Sequence, residues 1–129
     1  VAGFIGSPAM NFFKVKVTND NGVSLTDGEF TLNIAKGDSL KGFVGKEIIL
    51  GVRPENLKLC GASHNMLKGR VEVVELMGNE SNIYASTLSA NFVAKAPANS
   101  NAKVDDTVFF EPDIDKLHFF EIESGNRIN

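Results

Sequence analysis

Two stretches alternate apolar and polar residues with period two: Phe13, Val15 and Val17 against Lys14, Lys16 and Thr18, and Phe30, Leu32 and Ile34 against Thr31, Asn33 and Ala35. Side chains of a strand point to opposite faces in turn, so such a run buries one face and wets the other only as β-structure. Six further segments, Glu47 to Arg53, Lys68 to Met77, Ser81 to Leu88, Phe92 to Ala96, Thr107 to Glu111 and Leu117 to Ile122, are rich in Val, Ile and Phe and read as strands. Between them fall Asn21-Gly22, Asp27-Gly28, Lys36-Gly37-Asp38 and Gly78-Asn79, residues that tolerate the positive φ of tight hairpins. No window of ten residues carries a helical period. The expected class is all-β: a small antiparallel barrel of about eight short strands, with helical structure limited to single turns. Pro54 and Pro112 each follow a strand candidate and are expected to start such turns, closing the barrel ends.

At 129 residues with 43% apolar content, one domain with an ordinary core is expected, with no internal repeat. Thirteen basic against 16 acidic residues, with no Lys/Arg run, argue against a grip on nucleic-acid phosphates. No apolar run approaches the roughly 18–20 residues of a spanning helix. The one cysteine, Cys60, cannot form an internal disulfide, which points to a cytosolic setting.

Most candidate chemistry fails on spacing. Gly42 to Glu47 resembles a phosphate-binding loop, but Leu40 stands where that motif needs Gly and Glu47 where it needs a hydroxyl, so it reads as a turn. Cys60 and His64 offer two metal ligands where a structural zinc site takes four. Asp105-Asp106 and Asp113-x-Asp115 lack the Gly and the bidentate Glu of a calcium loop and read as turn carboxylates. Asn79-Glu80-Ser81 fits a glycosylation acceptor and reads better as a hairpin turn. His118 lies in a strand pattern, equally a core, rim or base position, and no nucleophile set can be assembled. The Phe doublets, Phe12-Phe13, Phe109-Phe110 and Phe119-Phe120, say more. Adjacent strand residues face opposite ways, so one ring of each pair points outward, giving an apolar patch that a partner covers, unless extra strands or a bulge bury both.

Four motifs run nearly the length of the chain: Gly6-Ser7-Pro8-x-Met10-Asn11-Phe12; Leu50-Gly51-Val52-Arg53-Pro54-Glu55-Asn56-Leu57; Gly69-Arg70-Val71-Glu72-Val73-Val74-Glu75 through Gly78-Asn79-Glu80; and Leu117-His118-Phe119-Phe120 with Gly125-Asn126-Arg127-Ile128. In order and spacing they resemble the C-terminal regulatory domain, the transport-associated OB-type domain, of the ATP-binding subunits of carbohydrate ABC importers of the maltose and glycerol-3-phosphate type. The first motif looks like the sugar branch rather than the polyamine or metal branches; residues 18–46 and 97–104 match no motif.

The resemblance implies an OB-like barrel with additional strands over residues 11–129. Residues 1–10, whose opening Val1 to Ile5 is apolar and uncharged, would be the end of a connection from an N-terminal ATPase domain. ATP and Mg²⁺ would be bound there, leaving this part non-catalytic and without a cofactor. It also implies a homodimer formed through this domain, membrane permease subunits reached through the ATPase domain, a regulatory protein docking in some relatives, and a cytoplasmic position at the inner face of the plasma membrane. Motif position makes Phe12, Gly45, Gly51 and Arg53 candidates for the partner-facing surface, joined by Phe110 and Phe120 from the doublets. The glycines read equally as turn or bulge residues, and Arg53 and Pro54 as a local carboxylate pair and turn. A stand-alone barrel binding an oligosaccharide or oxyanion is the alternative. There is no Trp, only Tyr84 among tyrosines, and no Ser-Ala-Arg-Asn-type oxyanion motif. Single-strand nucleic-acid binding would need a basic groove, which the acidic balance opposes.

Overall fold

The computed structural model describes residues 10–19, 21–34, 37–61, 66–88 and 90–129. Among the described residues ten strands form two antiparallel sheets. In the first, the order is β10 (His118–Phe120), β4 (Glu47–Val52), β1 (Asn11–Asn19), β2 (Val23–Thr26), β3 (Thr31–Asn33). In the second it is β5 (Leu57–Cys60), β9 (Thr107–Pro112), β6 (Leu67–Met77), β7 (Glu80–Ser86), β8 (Asn91–Pro97). The outer strands of the second sheet, β5 and β8, lie against each other, so that sheet curls towards a barrel. The all-β expectation of a small OB-like barrel with extra strands is met.

Strand β1 follows its sequence pattern: Phe13, Val15 and Val17 are buried while Phe12, Lys14 and Lys16 are exposed. One apolar cluster joins both sheets, with Phe13 against Phe30 (5.7 Å between ring centroids), Phe13 against Phe92 (5.5 Å) and Phe92 against Phe110 (5.7 Å). Asn11 ties the sheets by polar contacts. Its Nδ2 donates to the Val93 carbonyl at 2.8 Å and its Oδ1 accepts from the Val93 N–H at 2.9 Å, satisfying an edge position of β8 that β7 does not reach.

The structure corrects several expectations. Strands β2 and β5 were not anticipated: β2 is buried on both faces and shows no alternation, and β5 is four residues long directly behind the Pro54 turn. The strand expected over Phe30 to Ala35 narrows to Thr31–Asn33, and that over Leu117 to Ile122 to His118–Phe120; Ala35 lies outside the described residues. A 3₁₀ turn occupies Pro54–Asn56 as expected, but Pro112 ends β9 and the next turn begins at Ile114, where the Asp113 carboxylate accepts from the Asp115 N–H at 3.2 Å. A third, unanticipated 3₁₀ turn spans Asp38–Phe43. Of the segment 1–10, only Met10 is described.

Candidate functional site

Register brings the sequence candidates together on the outer face of the first sheet. Phe12 pairs with Gly51 across β1 and β4, and Gly51 with His118 across β4 and β10; Phe120 pairs with Ile49 one step along the same face. Phe12 is 54% exposed although its ring sits edge-on to Phe120 at 6.0 Å, and His118 stacks on Phe120 at 6.4 Å and 25°. Gly51 makes this cluster possible. A Cβ there would lie 2.6 Å from Met10 Sδ, 3.0 Å from Phe120 Cε2 and 3.4 Å from Phe12 Cε1. The close approach that Gly51 permits is therefore to the chain's own rings.

Arg53, two residues past Gly51, caps the Pro54–Asn56 turn in an extended conformation and is exposed. The carboxylate pair expected of it is absent: the ion pairs among the described residues are Lys41–Asp38, Arg70–Asp105 and Lys116–Asp113. Arg127, whose backbone bridges to Phe120, and Arg53 both act on His118. Burial first, then these two guanidiniums, hold its imidazole below the usual histidine range. The result is an aromatic cluster bordered by cations, with Lys14 opposite Ile49 continuing the border.

Two of the expected surface residues do not belong to it. Phe110 is fully buried against Phe92, because β9 turns its even positions inward; the outward ring of that doublet is Phe109, half-buried on the other sheet. Gly45 lies in the turn that leads into β4, at the opposite end from Gly51, with φ +86° and its N–H donating to the Val17 carbonyl at 2.8 Å. That conformation is one L-residues rarely adopt, which accounts for a glycine there without a partner. Met10 and His118 complete the cluster and were not among the candidates. Their signal was register, which pairs His118 with Gly51, and the Met10-Asn11-Phe12 motif itself.

Asp106 Oδ2 accepts from the Lys103 N–H at 3.0 Å, and the Cys60 thiol is pushed up by burial and by Glu111 nearby. His64 lies outside the described residues, and among those described no three His, Cys, Asp or Glu are grouped to hold a metal. Two shallow grooves of ≈ 490 and ≈ 520 Å³ share Glu55, and no aromatic side chain lines either of them. No described helix is long and apolar enough to cross a membrane.

Two antiparallel sheets joined by one apolar cluster, with an aromatic cluster on the outer face of the first, define a β-rich domain. The family model of the TOBE domain matches residues 50–120, and that of the MalK OB fold domain matches residues 6–57. The chain belongs to the TOBE domain family. It is 36% identical over 135 residues to the oligosaccharides import ATP-binding protein MsmX of Bacillus subtilis, and 34% identical over 139 residues to the trehalose/maltose import ATP-binding protein MalK of Thermococcus litoralis. In each case 99% of this chain is covered, and it spans 37% of the relative's length. The osmoprotective compounds uptake ATP-binding protein GgtA of Synechocystis is 35% identical over 134 residues. In fold alone, the chain is similar to the cytoplasmic molybdate-binding protein ModG (TM-score 0.62, 14% identity, 84% of this chain and 94% of that one covered).

Proposed function

We propose that this chain is the regulatory and pairing domain of the ATP-binding subunit of a sugar ABC importer. The observation that carries the reading is similarity over 99% of the chain to ATP-binding proteins named for oligosaccharide and trehalose/maltose import. On this reading ATP and Mg²⁺ are handled by a separate ATPase domain, which also meets the permease subunits at the cytoplasmic side of the membrane, and the present domain adds no catalytic group. Its work is contact. The Phe12, Gly51 and Phe120 cluster, with Arg53 on its border, is the surface that meets a second copy across a two-fold axis, and a regulatory protein docks on the same domain. An exposed aromatic cluster held rigid by ring-to-ring contacts supports this, since its rings are already ordered and lose little freedom on association. Gly45, in an exposed turn, and the fully buried Phe110 lie outside this cluster. The second reading, a sugar- or oxyanion-binding barrel, is not favoured, because the relatives matched along 99% of the chain are named as import ATP-binding proteins.

Uptake of labelled sugars by cells lacking the gene for this chain tests the transport assignment. Loss of uptake of at least one oligosaccharide, restored by the gene in trans, is the expected result. Unchanged uptake of every sugar the cell imports would overturn it.

A further inference from the structure

Strand β6 is longer than the neighbour on one of its sides. It pairs with β7 from Arg70 to Met77, but with β9 only from Leu67 to Arg70. The segment that precedes β9 reaches β6 at a single residue, where the Val71 N–H donates to the Asp106 carbonyl and the Val71 carbonyl accepts from the Asp105 N–H. Beyond Val71 no backbone partner meets that edge among the described residues.

Which groups the edge presents follows from the register. Both Val93 backbone groups face Asn11 and so point away from β7, which makes Tyr84 and Val93 a non-hydrogen-bonded pair. The Tyr84 groups therefore point to β6 and bond Val73, its partner there. By alternation the N–H and C=O of Val74 and of Leu76 project from the free edge. The register shift between Val71 and Val73 places Glu72 as the extra residue, at the point where pairing with β9 ends.

The side chains around this edge are apolar and acidic. Val73 is 51% exposed, Leu76 68% and Met77 56%. Between Val71 and Tyr84 the hairpin has Glu72, Glu75 and Glu80 and no Lys or Arg. The nearest cation in register, Lys95, stands opposite Asn82 on β8, on the far side of β7 from the edge. Arg70, at the base, is engaged with Asp105 at 3.2 Å. Lys103 stands in the turn whose Asp105 and Asp106 bond Val71, and from Val73 to Met77 neither Lys nor Pro, the usual guards of an open edge, is present.

We propose that the free edge of β6 from Val73 to Met77 is a docking site for an extended, Lys/Arg-bearing strand of another protein, added by β-augmentation. The backbone of Val74 and Leu76 supplies the hydrogen bonds; the charge selection comes from the uncompensated negative charge of the hairpin, whose Glu72 accepts from Ser86 and Glu75 from Asn82 and Tyr84 on the β7 side. A second copy of this chain fits worse, because edge-to-edge pairing would bring together two hairpins that each have three glutamates and no cation between Val71 and Tyr84. This site is separate from the Phe12 cluster and does not depend on the pairing proposed there.

The test uses ¹⁵N-labelled chain and two synthetic octapeptides, one alternating Lys and Val, the other Glu and Val. With the Lys peptide, the Val74 and Leu76 amides should shift and gain protection from hydrogen exchange; with the Glu peptide the response should be several-fold weaker. Leu76→Pro removes a donor from the free edge while leaving the β7 ladder its bonds, and should abolish the response. The double substitution Glu72→Lys and Glu80→Lys should invert the preference between the peptides. Equal responses to both peptides, no response at Val74 and Leu76, or self-association of the chain that Leu76→Pro removes would each overturn the proposal.

Discussion

Replacing Asn11 by Ala removes the side chain that joins the two sheets through the Val93 N–H and C=O, at 2.9 and 2.8 Å. Asn11 is only 6% exposed, and the contact links residues 82 apart in sequence. A net hydrogen bond is worth about 1 kcal/mol, and stranding a buried donor or acceptor costs about 1–3 kcal/mol, so partial access of water to the vacated site puts the loss at about 2–4 kcal/mol. For a domain of this size about 3 kcal/mol corresponds to a fall in Tm of ~10 °C. Urea unfolding followed by circular dichroism, with calorimetry alongside, reads both quantities. Lys14→Ala on the same strand, outward-facing and exposed, is the control and should stay within about 0.5 kcal/mol of the parent. A loss below about 1 kcal/mol for Asn11→Ala would refute the argument that this amide holds the edge of β8.

Other substitutions separate core from surface. Phe110→Ala, at a fully buried ring against Phe92, should cost about 3–5 kcal/mol in urea unfolding. Gly69→Ala drives a Cβ to 2.8 Å from the Phe92 ring and 3.2 Å from Ala85 Cβ, and should cost about 1–3 kcal/mol. Gly51→Ala meets the movable end of Met10 first, so it should cost less than Gly69→Ala in the same assay while altering the Phe12 and Phe120 ring resonances. The pKa of His118 lies below its unfolded value of 6.5, so above that value it adds no pH dependence. As pH falls below 6.5 the unfolded chain takes up the proton first, and stability should drop until the folded pKa is passed. His118→Gln should remove this part of the stability-versus-pH curve.

Local pattern carried most of the secondary structure. The alternation in β1 and the adjacency rule for the Phe doublets both hold: Phe12, Phe109 and Phe120 face outward while Phe13, Phe110 and Phe119 are buried. What the pattern lacked was the choice of ring. Nothing in a single strand says which of its faces meets the other sheet, so the Phe109-Phe110 doublet alone does not tell which ring is buried; the pairing of Leu67 and of Leu59 with Phe110 decides it. Strand β2 escaped because a segment buried on both faces has no period. Four of the six candidate surface residues converge: Phe12, Gly51, Arg53 and Phe120. The rest of the cluster was not legible, because Met10 and His118 join through register across β1, β4 and β10, a nonlocal property. The open edge of β6 is hidden for the same reason: it exists because β9 pairs with it no further than Arg70.

The claim that the Phe12 cluster pairs two copies is tested most directly by sedimentation equilibrium of this chain over a wide concentration range, repeated with Phe12→Ser and with Phe120→Ser. The expected result is a reversible dimer that either substitution weakens at least about tenfold while circular dichroism shows both variants still folded, since an interface aromatic is worth upwards of 1.4 kcal/mol. A monomer at every concentration, or a dimer indifferent to both substitutions, would contradict it.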